Sequence, residues 1–238
     1  MRLDKYLAQA SGASRSESRK LIRGGRVRIG ETVVKSAAAN VVDDQQVTLD
    51  GQLLELPEYQ YLMLYKPPGT VCATTDAEHP TVIDLLPDEV LFNPKGELHP
   101  AGRLDMDTTG LVLITDDGQW SHNVTSPRKQ CKKRYRVSLA EALDEEMVKQ
   151  IQQRFAEGLL LKGEDKPTLP AQLWVETPTE VLIEISEGRY HQVKRMFAAV
   201  ANRVVALHRE QVGAIELDDE LEPGESRPLS QLEIDQFC

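Results

Sequence analysis

The sequence predicts an α+β protein of two domains: a small N-terminal unit of two helices and short strands, then a larger domain around a mainly antiparallel, mixed sheet flanked by helices and loops. Three observations carry this prediction. A length of 238 residues leaves room for a small and a medium domain with a sizeable core. The strand-like apolar runs beyond position 60 are separated as often by turns as by helices, which does not suit a regular parallel βαβ series. Between the two parts, Pro57, Glu58 and the polar residues around them at 56–60 read as a linker, which places the domains at 1–57 and 61–238.

In chain order, Leu3, Tyr6, Leu7 and Ala10 share one face of a short helix that Gly12 ends. Ser14 is positioned to cap a second helix, which runs through Lys20, Leu21 and Ile22 to Gly24-Gly25. VRI (27–29), TVV (32–34), QVTL (46–49) and QLLEL form short strands joined at the turns Gly30-Glu31 and Asp50-Gly51. In the larger domain, strands are expected at 61–65, 111–115, 135–139, 171–176, 180–186 and 203–213. Helices are expected at 81–86, 117–123, 144–155 and 190–200. There is no internal repeat or low-complexity segment.

The formal net charge of -10 argues at first against a nucleic-acid partner, because phosphate binding relies on clustered Lys and Arg. Its distribution argues the other way. Arg15, Arg19, Lys20 and Arg23 fall at spacings of three and four, so they lie along one stripe of the second helix, able to rest against phosphates. A second basic run, Arg128, Lys129, Lys132, Lys133, Arg134 and Arg136, contains no acid, while acids gather at 144–146 and 216–225. Either cluster also has the plainer reading of a solvated face. Cys72, Cys131 and Cys238 are odd in number and have no paired spacing, which favours a reducing cytosol over a disulfide framework. The N-terminus shows no signal-peptide pattern and no apolar run approaches a spanning length, so a soluble cytoplasmic protein is expected.

Four places carry chemical character: Lys66-Pro67-Pro68-Gly69, the loop GRLDMDTTG (102–110), Lys132 to Tyr135, and EGRYHQVKRMF (187–197). Each has an ordinary structural reading as well. KPPG is a proline turn ending a strand, and the two aspartates can bond the backbone of their own turn. His191 can cap a helix, and Tyr135 can face the core or a sheet edge. Together they favour a site. Asp105 supplies a nucleophile or base, Tyr135 a ring able to stack on a nucleobase, and Lys194 and Arg195 a countercharge that keeps the carboxylate ionised. The other histidines are isolated and lack metal-site spacing, so no metal is expected.

GRLDMDTTGLVLITDDG resembles the signature of pseudouridine synthases, in the branch that modifies ribosomal RNA. KPPG, KKRYRV and EGRYHQVKRMF resemble that branch's other motifs in the same order, and DDGQWSH points to the RsuA family. The first sixty residues resemble the alpha-L RNA-binding domain. The resemblance implies isomerisation of one uridine to pseudouridine in small-subunit (16S) ribosomal RNA, free or in an assembling subunit, by a monomer with no cofactor. It assigns the catalytic carboxylate to Asp105, leaving open whether it attacks the sugar, adds to the ring or removes a sugar proton, the stacking ring to Tyr135 and the basic partner to Lys194, where many relatives have arginine. Lysine lacks the planar fork of arginine, so Arg195 is left open as a sharer of the task. Arg103 is expected to enter the RNA where the base leaves, with Leu104 and Val193 lining the uracil pocket. RNA contacts fall to Arg15, Arg19, Lys20, Arg23, Lys132, Lys133 and Arg134, and Asp107 to holding the loop's shape. A non-catalytic assembly factor, a synthase for another structured RNA, and a metal-dependent nuclease using Asp105 and Asp107 are the competing readings.

Overall fold

A computed structural model describes residues 1–42, 45–56, 58–91 and 95–238. Pro57, part of the expected linker, lies outside the described residues. Contacts separate a unit built on Met1–Tyr59, to which Lys95 also belongs, from a unit running from Gln60 to Cys238.

In the smaller unit, α1 (Leu3–Ser11) ends at Gly12, whose φ of 68° is left-handed. The second helix, α2 (Arg15–Arg23), opens with a capping box: the Ser14 hydroxyl accepts from the Glu17 amide while the Glu17 carboxylate accepts from the Ser14 amide. Strands β1 (Val27–Ile29), β2 (Thr32–Val33), β3 (Val47–Leu49) and β4 (Gln52–Leu54) form an antiparallel sheet in the order β2-β1-β3-β4. Leu3, Leu7, Ile22, Val27 and Val47 close its core. Asp4 is fully buried there beneath three guanidinium groups, from Arg2 at 3.1 Å, Arg15 at 3.2 Å and Arg19 at 3.0 Å. These bonds, that of Arg2 foremost, hold its carboxyl far below the usual range.

The larger unit continues with β5 (Tyr61–Lys66), α3 (Asp88–Leu91), β6 (His99–Pro100), β7 (Thr109–Thr115), α4 (Gly118–Thr125), β8 (Lys133–Leu139) and α5 (Glu145–Glu157). It closes with β9 (Gln172–Thr177), β10 (Glu180–Ile185), α6 (Gln192–Ala198), β11 (Val204–Val212), β12 (Ile215–Glu216), β13 (Ser226–Pro228) and α7 (Gln231–Asp235). The sheet runs β13-β5-β7-β11-β8-β10-β9, with β12 paired to β11 and β6 to β7. Every pairing is antiparallel except β7 with β11, so the sheet is mixed, as expected. Both faces are covered. Leu62, Leu64, Val112 and Ile114 join one core with Phe155 and Phe197, while Met63, Leu111 and Leu113 join another with Trp120. The two-residue period of a strand sorts them, and burial on both faces makes the runs continuously apolar.

Two expected helices differ. TVIDLL (81–86) is not helical: the Thr81 amide and hydroxyl both donate to Asp84, at 2.7 and 2.9 Å, and the Val82 amide donates to Val71 at 2.9 Å. Between Pro80 and Pro87 these bonds hold the segment in bends. The helix expected at 190–200 begins only at Gln192, because His191 sits in left-handed backbone at φ 47°.

Candidate active site

The loop 102–108 enters β7 through Gly110. There β7 passes against β11, and a Cβ on Gly110 would stand 2.2 Å from the Arg209 carbonyl oxygen, so only glycine fits. The loop is fixed from beneath. Lys66, fully buried at the end of β5, donates its ammonium to the carbonyls of Pro67 at 3.0 Å, Met106 at 3.2 Å and Thr108 at 2.8 Å. The Gly69 amide adds a bond to Met106 at 2.8 Å, and the Leu104 amide reaches the Cys72 sulfur at 3.3 Å. KPPG is therefore both the proline turn and the support of the acidic loop. Burial pushes the Lys66 ammonium below its ordinary pKa.

From this support Asp105 faces a cleft of about 680 Å³. Arg103, Leu104, Asp105, Lys133, Tyr135 and Val193 all line it, so one cavity gathers six of the sequence-predicted residues. Tyr135 and Val193 are buried and Leu104 is rooted in the core, while Arg103 is exposed. Lys194 is not in the lining. Its ammonium stands 3.1 Å from Asp105 Oδ2 and 2.6 Å from Asp107 Oδ1. Burial works to lower its pKa, but the bonds to Asp107 and Asp105 together outweigh that and hold the value above normal. Asp107 is correspondingly depressed, its bond to Lys194 foremost, so its carboxylate belongs to the ion pair.

Arg195 does not share the task of Lys194. Its guanidinium turns to Glu164 at 2.9 Å and to the carbonyls of Tyr190 and Lys162 at 3.0 and 2.9 Å. That anchors the start of α6. Glu187 completes the anchor by accepting from the Leu169 amide, Arg189 and Gln192 at 2.8, 3.1 and 2.9 Å.

The basic run is not the bare cationic face its sequence suggests. Lys132 pairs with Glu184 at 2.7 Å, Arg134 with Glu216 at 2.8 Å and Arg136 with Glu210 at 2.7 Å, and Glu176 lies 3.4 Å from Arg136. The acids come from neighbouring strands, invisible to a local reading. Lys133 instead lines the cleft and donates to the Cys131 carbonyl at 2.7 Å. In the smaller unit, Arg15, Arg19, Lys20 and Arg23 are all exposed on α2.

Sequence reasoning underrated His191 and passed over Arg209. The His191 side chain makes no cap bond, and its Nε2 lies 3.4 Å from Asp105 Oδ1 with the Tyr190 ring stacked on it at 3.8 Å. Its left-handed backbone costs on the order of 1 kcal/mol, a strain typical of functional positions. Arg209 lines the cleft although it is only 2% exposed. The signal was available: Leu207 and Arg209 share one face of β11, and in an alternating strand a charge at the inward position is conspicuous.

Residues 60–199 match the RNA pseudouridylate synthase family, and residues 1–47 match the S4 domain. The chain is 52% identical to the ribosomal small subunit pseudouridine synthase A of Salmonella typhimurium (strain LT2), covering 98% of each chain. It is 51% identical to the protein of that name from Escherichia coli (strain K12), again over 98% of each. A crystal structure of a pseudouridylate synthase superposes over 100% of both chains with a TM-score of 0.70 and 46% identity.

Proposed function

The chain belongs to the RNA pseudouridylate synthase family, and from that premise we propose that it isomerises a uridine of small-subunit ribosomal RNA, with Asp105 as the carboxylate at the glycosidic bond. The observation that carries this reading is the position of Asp105 at the wall of the cleft, flanked by Lys194 and His191 and facing a cavity that Tyr135 and Val193 also line. The name shared by relatives of 51–52% identity over nearly full length supports the ribosomal substrate. The reaction exchanges a C–N bond for a C–C bond within one nucleotide, so it is redox-neutral and draws on no electron carrier.

A glycosidic bond inside stacked RNA is out of reach, and extruding the nucleotide costs a few kcal/mol. Stacking on Tyr135 returns roughly 1 to 3 kcal/mol, as base–aromatic contacts do. Arg103, exposed at the cleft mouth, is suited to fill the vacated place, with Leu104 and Val193 bounding the base. Lys194 at 3.1 Å and His191 at 3.4 Å flank the Asp105 carboxylate and orient it. Arg15, Arg19, Lys20 and Arg23 serve as phosphate contacts, as their exposure and the S4 match favour. The two-carboxylate metal site of a nuclease is disfavoured by Lys194, whose ammonium occupies the place between Asp105 and Asp107 that a cation would take.

Asp105→Asn tests the reading. It should abolish pseudouridine formation in ribosomal RNA transcripts while leaving RNA affinity within about threefold, since no phosphate contact is lost. Unchanged pseudouridine levels in cells carrying only this variant would leave the chain an RNA-binding factor.

A further inference from the structure

We propose that Arg209 is the cation that stabilises the charge arriving on the base when the glycosidic bond breaks, a role that rests on reading the cleft as the synthase site. Three observations support it. Arg209 is almost fully buried, yet among the described residues no carboxylate lies within ion-pairing distance. Its Nε donates to the Leu111 carbonyl at 2.8 Å and its Nη1 reaches the Arg103 carbonyl at only 3.5 Å, while Nη2 has no hydrogen-bond partner among the described residues. A buried, uncompensated guanidinium is expensive, and one that merely braced a loop would gain by full satisfaction.

Its position is the second observation. Arg209 is the residue of β11 directly opposite Tyr135 on β8, so the two side chains rise from the same face of the sheet into the cleft. On its other side it lies beside Gly110, which has no side chain to intervene. The third is the bulge that follows it, where the register shifts between Arg209 and Gln211, a distortion that re-aims side chains near active sites.

The chemistry supplies the role. When C1′–N1 breaks, its electron pair leaves with the base and spreads from N1 to the two carbonyl oxygens. Asp105 meets the deficit on the sugar, by bonding to C1′ or by taking a sugar proton. The turned base then bonds C1′ through C5, loses the C5 proton and gains one at N1, so atoms and electrons balance. The base is an anion between these events. A fixed positive charge beside the ring that holds it lowers the barrier to C1′–N1 cleavage, where that charge develops, and it needs no proton transfer.

Single-turnover conversion on small-subunit ribosomal RNA transcripts containing either uridine or 5-fluorouridine tests this, read as loss of the N-linked nucleoside after digestion. Fluorine makes the departing base more acidic and so less dependent on outside stabilisation. Arg209→Gln should slow the uridine RNA by about 100-fold, as loss of a charge-stabilising donor does, and slow the fluorinated RNA by about tenfold less than that. Equal slowing on both RNAs would overturn the proposal, because a displaced loop penalises both alike. Should Arg209→Gln fail to fold, Arg209→Lys is read the same way, with its shorter, displaced charge again expected to favour the fluorinated RNA. Failure of the unaltered protein to convert either RNA would overturn the synthase reading as well, which separates the two failures.

Discussion

Asp105 and Asp107 share one lysine, yet their surroundings give them different weight. The Asp105 side chain is 29% exposed and has Lys194 and the His191 ring beside it, whereas that of Asp107 is 71% exposed and pairs with Lys194. An exposed ion pair contributes about 0 to 1 kcal/mol, so Asp107→Asn should lower kcat/KM by no more than about fivefold. Lys194→Met leaves the partly buried Asp105 without its nearest countercharge, and a loss of about 100-fold is expected. The pH profile separates structure from charge. Because the carboxylates hold Lys194 above its ordinary 10.5, the ammonium stays charged as the pH rises to and past that value. Asp107→Asn removes the larger of the two supporting bonds, so the alkaline limb of kcat/KM should move to lower pH. A limb that stays in place, or moves upward, would mean that Lys194 does not govern it.

Among the elements, β5 and its KPPG exit show how far a local pattern can be trusted. The alternation of Leu62, Met63 and Leu64 identifies the strand, and the prolines identify the turn. Nothing near Lys66 in the chain says that its ammonium serves carbonyls some forty positions away. The same limit explains the other surprises. The strand pairs, the capped helices and the cleft residues from Arg103 to Val193 follow from local periodicity, from Ser and Asp caps, or from the family motifs. The acids opposing Lys132, Arg134 and Arg136 come from neighbouring strands, and the failed helix at 81–86 reflects Asp84 outcompeting helical bonds between two prolines. His191 escaped because a left-handed residue one step before a helix leaves no periodic trace. For Lys66 the consequence is testable. Lys66→Met takes the donor from the Thr108 carbonyl and leaves the Met106 and Pro67 carbonyls with only the Gly69 amide and the Thr70 hydroxyl, and since an unsatisfied buried polar group costs about 1 to 3 kcal/mol, denaturant unfolding should show a loss of about that size. Activity should fall further than stability, because Asp105 rides on the loop. A variant with unchanged stability and rate would mean that Met106 and Thr108 do not need the ammonium.

Across the whole molecule, a net charge of -10 and an RNA substrate are reconciled by where the charge is neutralised. In the smaller unit three arginines, Arg2, Arg15 and Arg19, meet a single acid, Asp4, which leaves 3 − 1 = +2 on an exposed surface, with Lys20 and Arg23 beside it. In the larger unit Lys132, Arg134 and Arg136 meet Glu184, Glu216, Glu210 and Glu176, which leaves 3 − 4 = −1 for these strand residues, while Arg128 and Lys129 ahead of them stay exposed. The strand residues of the second run therefore offer phosphate less than the α2 stripe does. Each phosphate contact contributes about 0.7 to 0.9 to the slope of log affinity against log salt. Replacing Arg15, Arg19 and Arg23 together by alanine should thus lower that slope by about 2 to 3. Replacing Lys132 and Arg134 should leave it nearly unchanged, since acids outnumber cations around them, whereas Arg15 and Arg19 share the single Asp4 with Arg2. Asp4→Asn sharpens the comparison, because removing an acid ought to tighten RNA binding if only charge counts. If the carboxylate instead fixes the arginines in a geometry that phosphates can use, affinity should fall although the protein has become less acidic. Thermal unfolding of the same variant shows whether the smaller unit is intact. A folded Asp4→Asn protein that binds RNA more tightly would show that net charge, and not the arrangement Asp4 imposes, governs the contact.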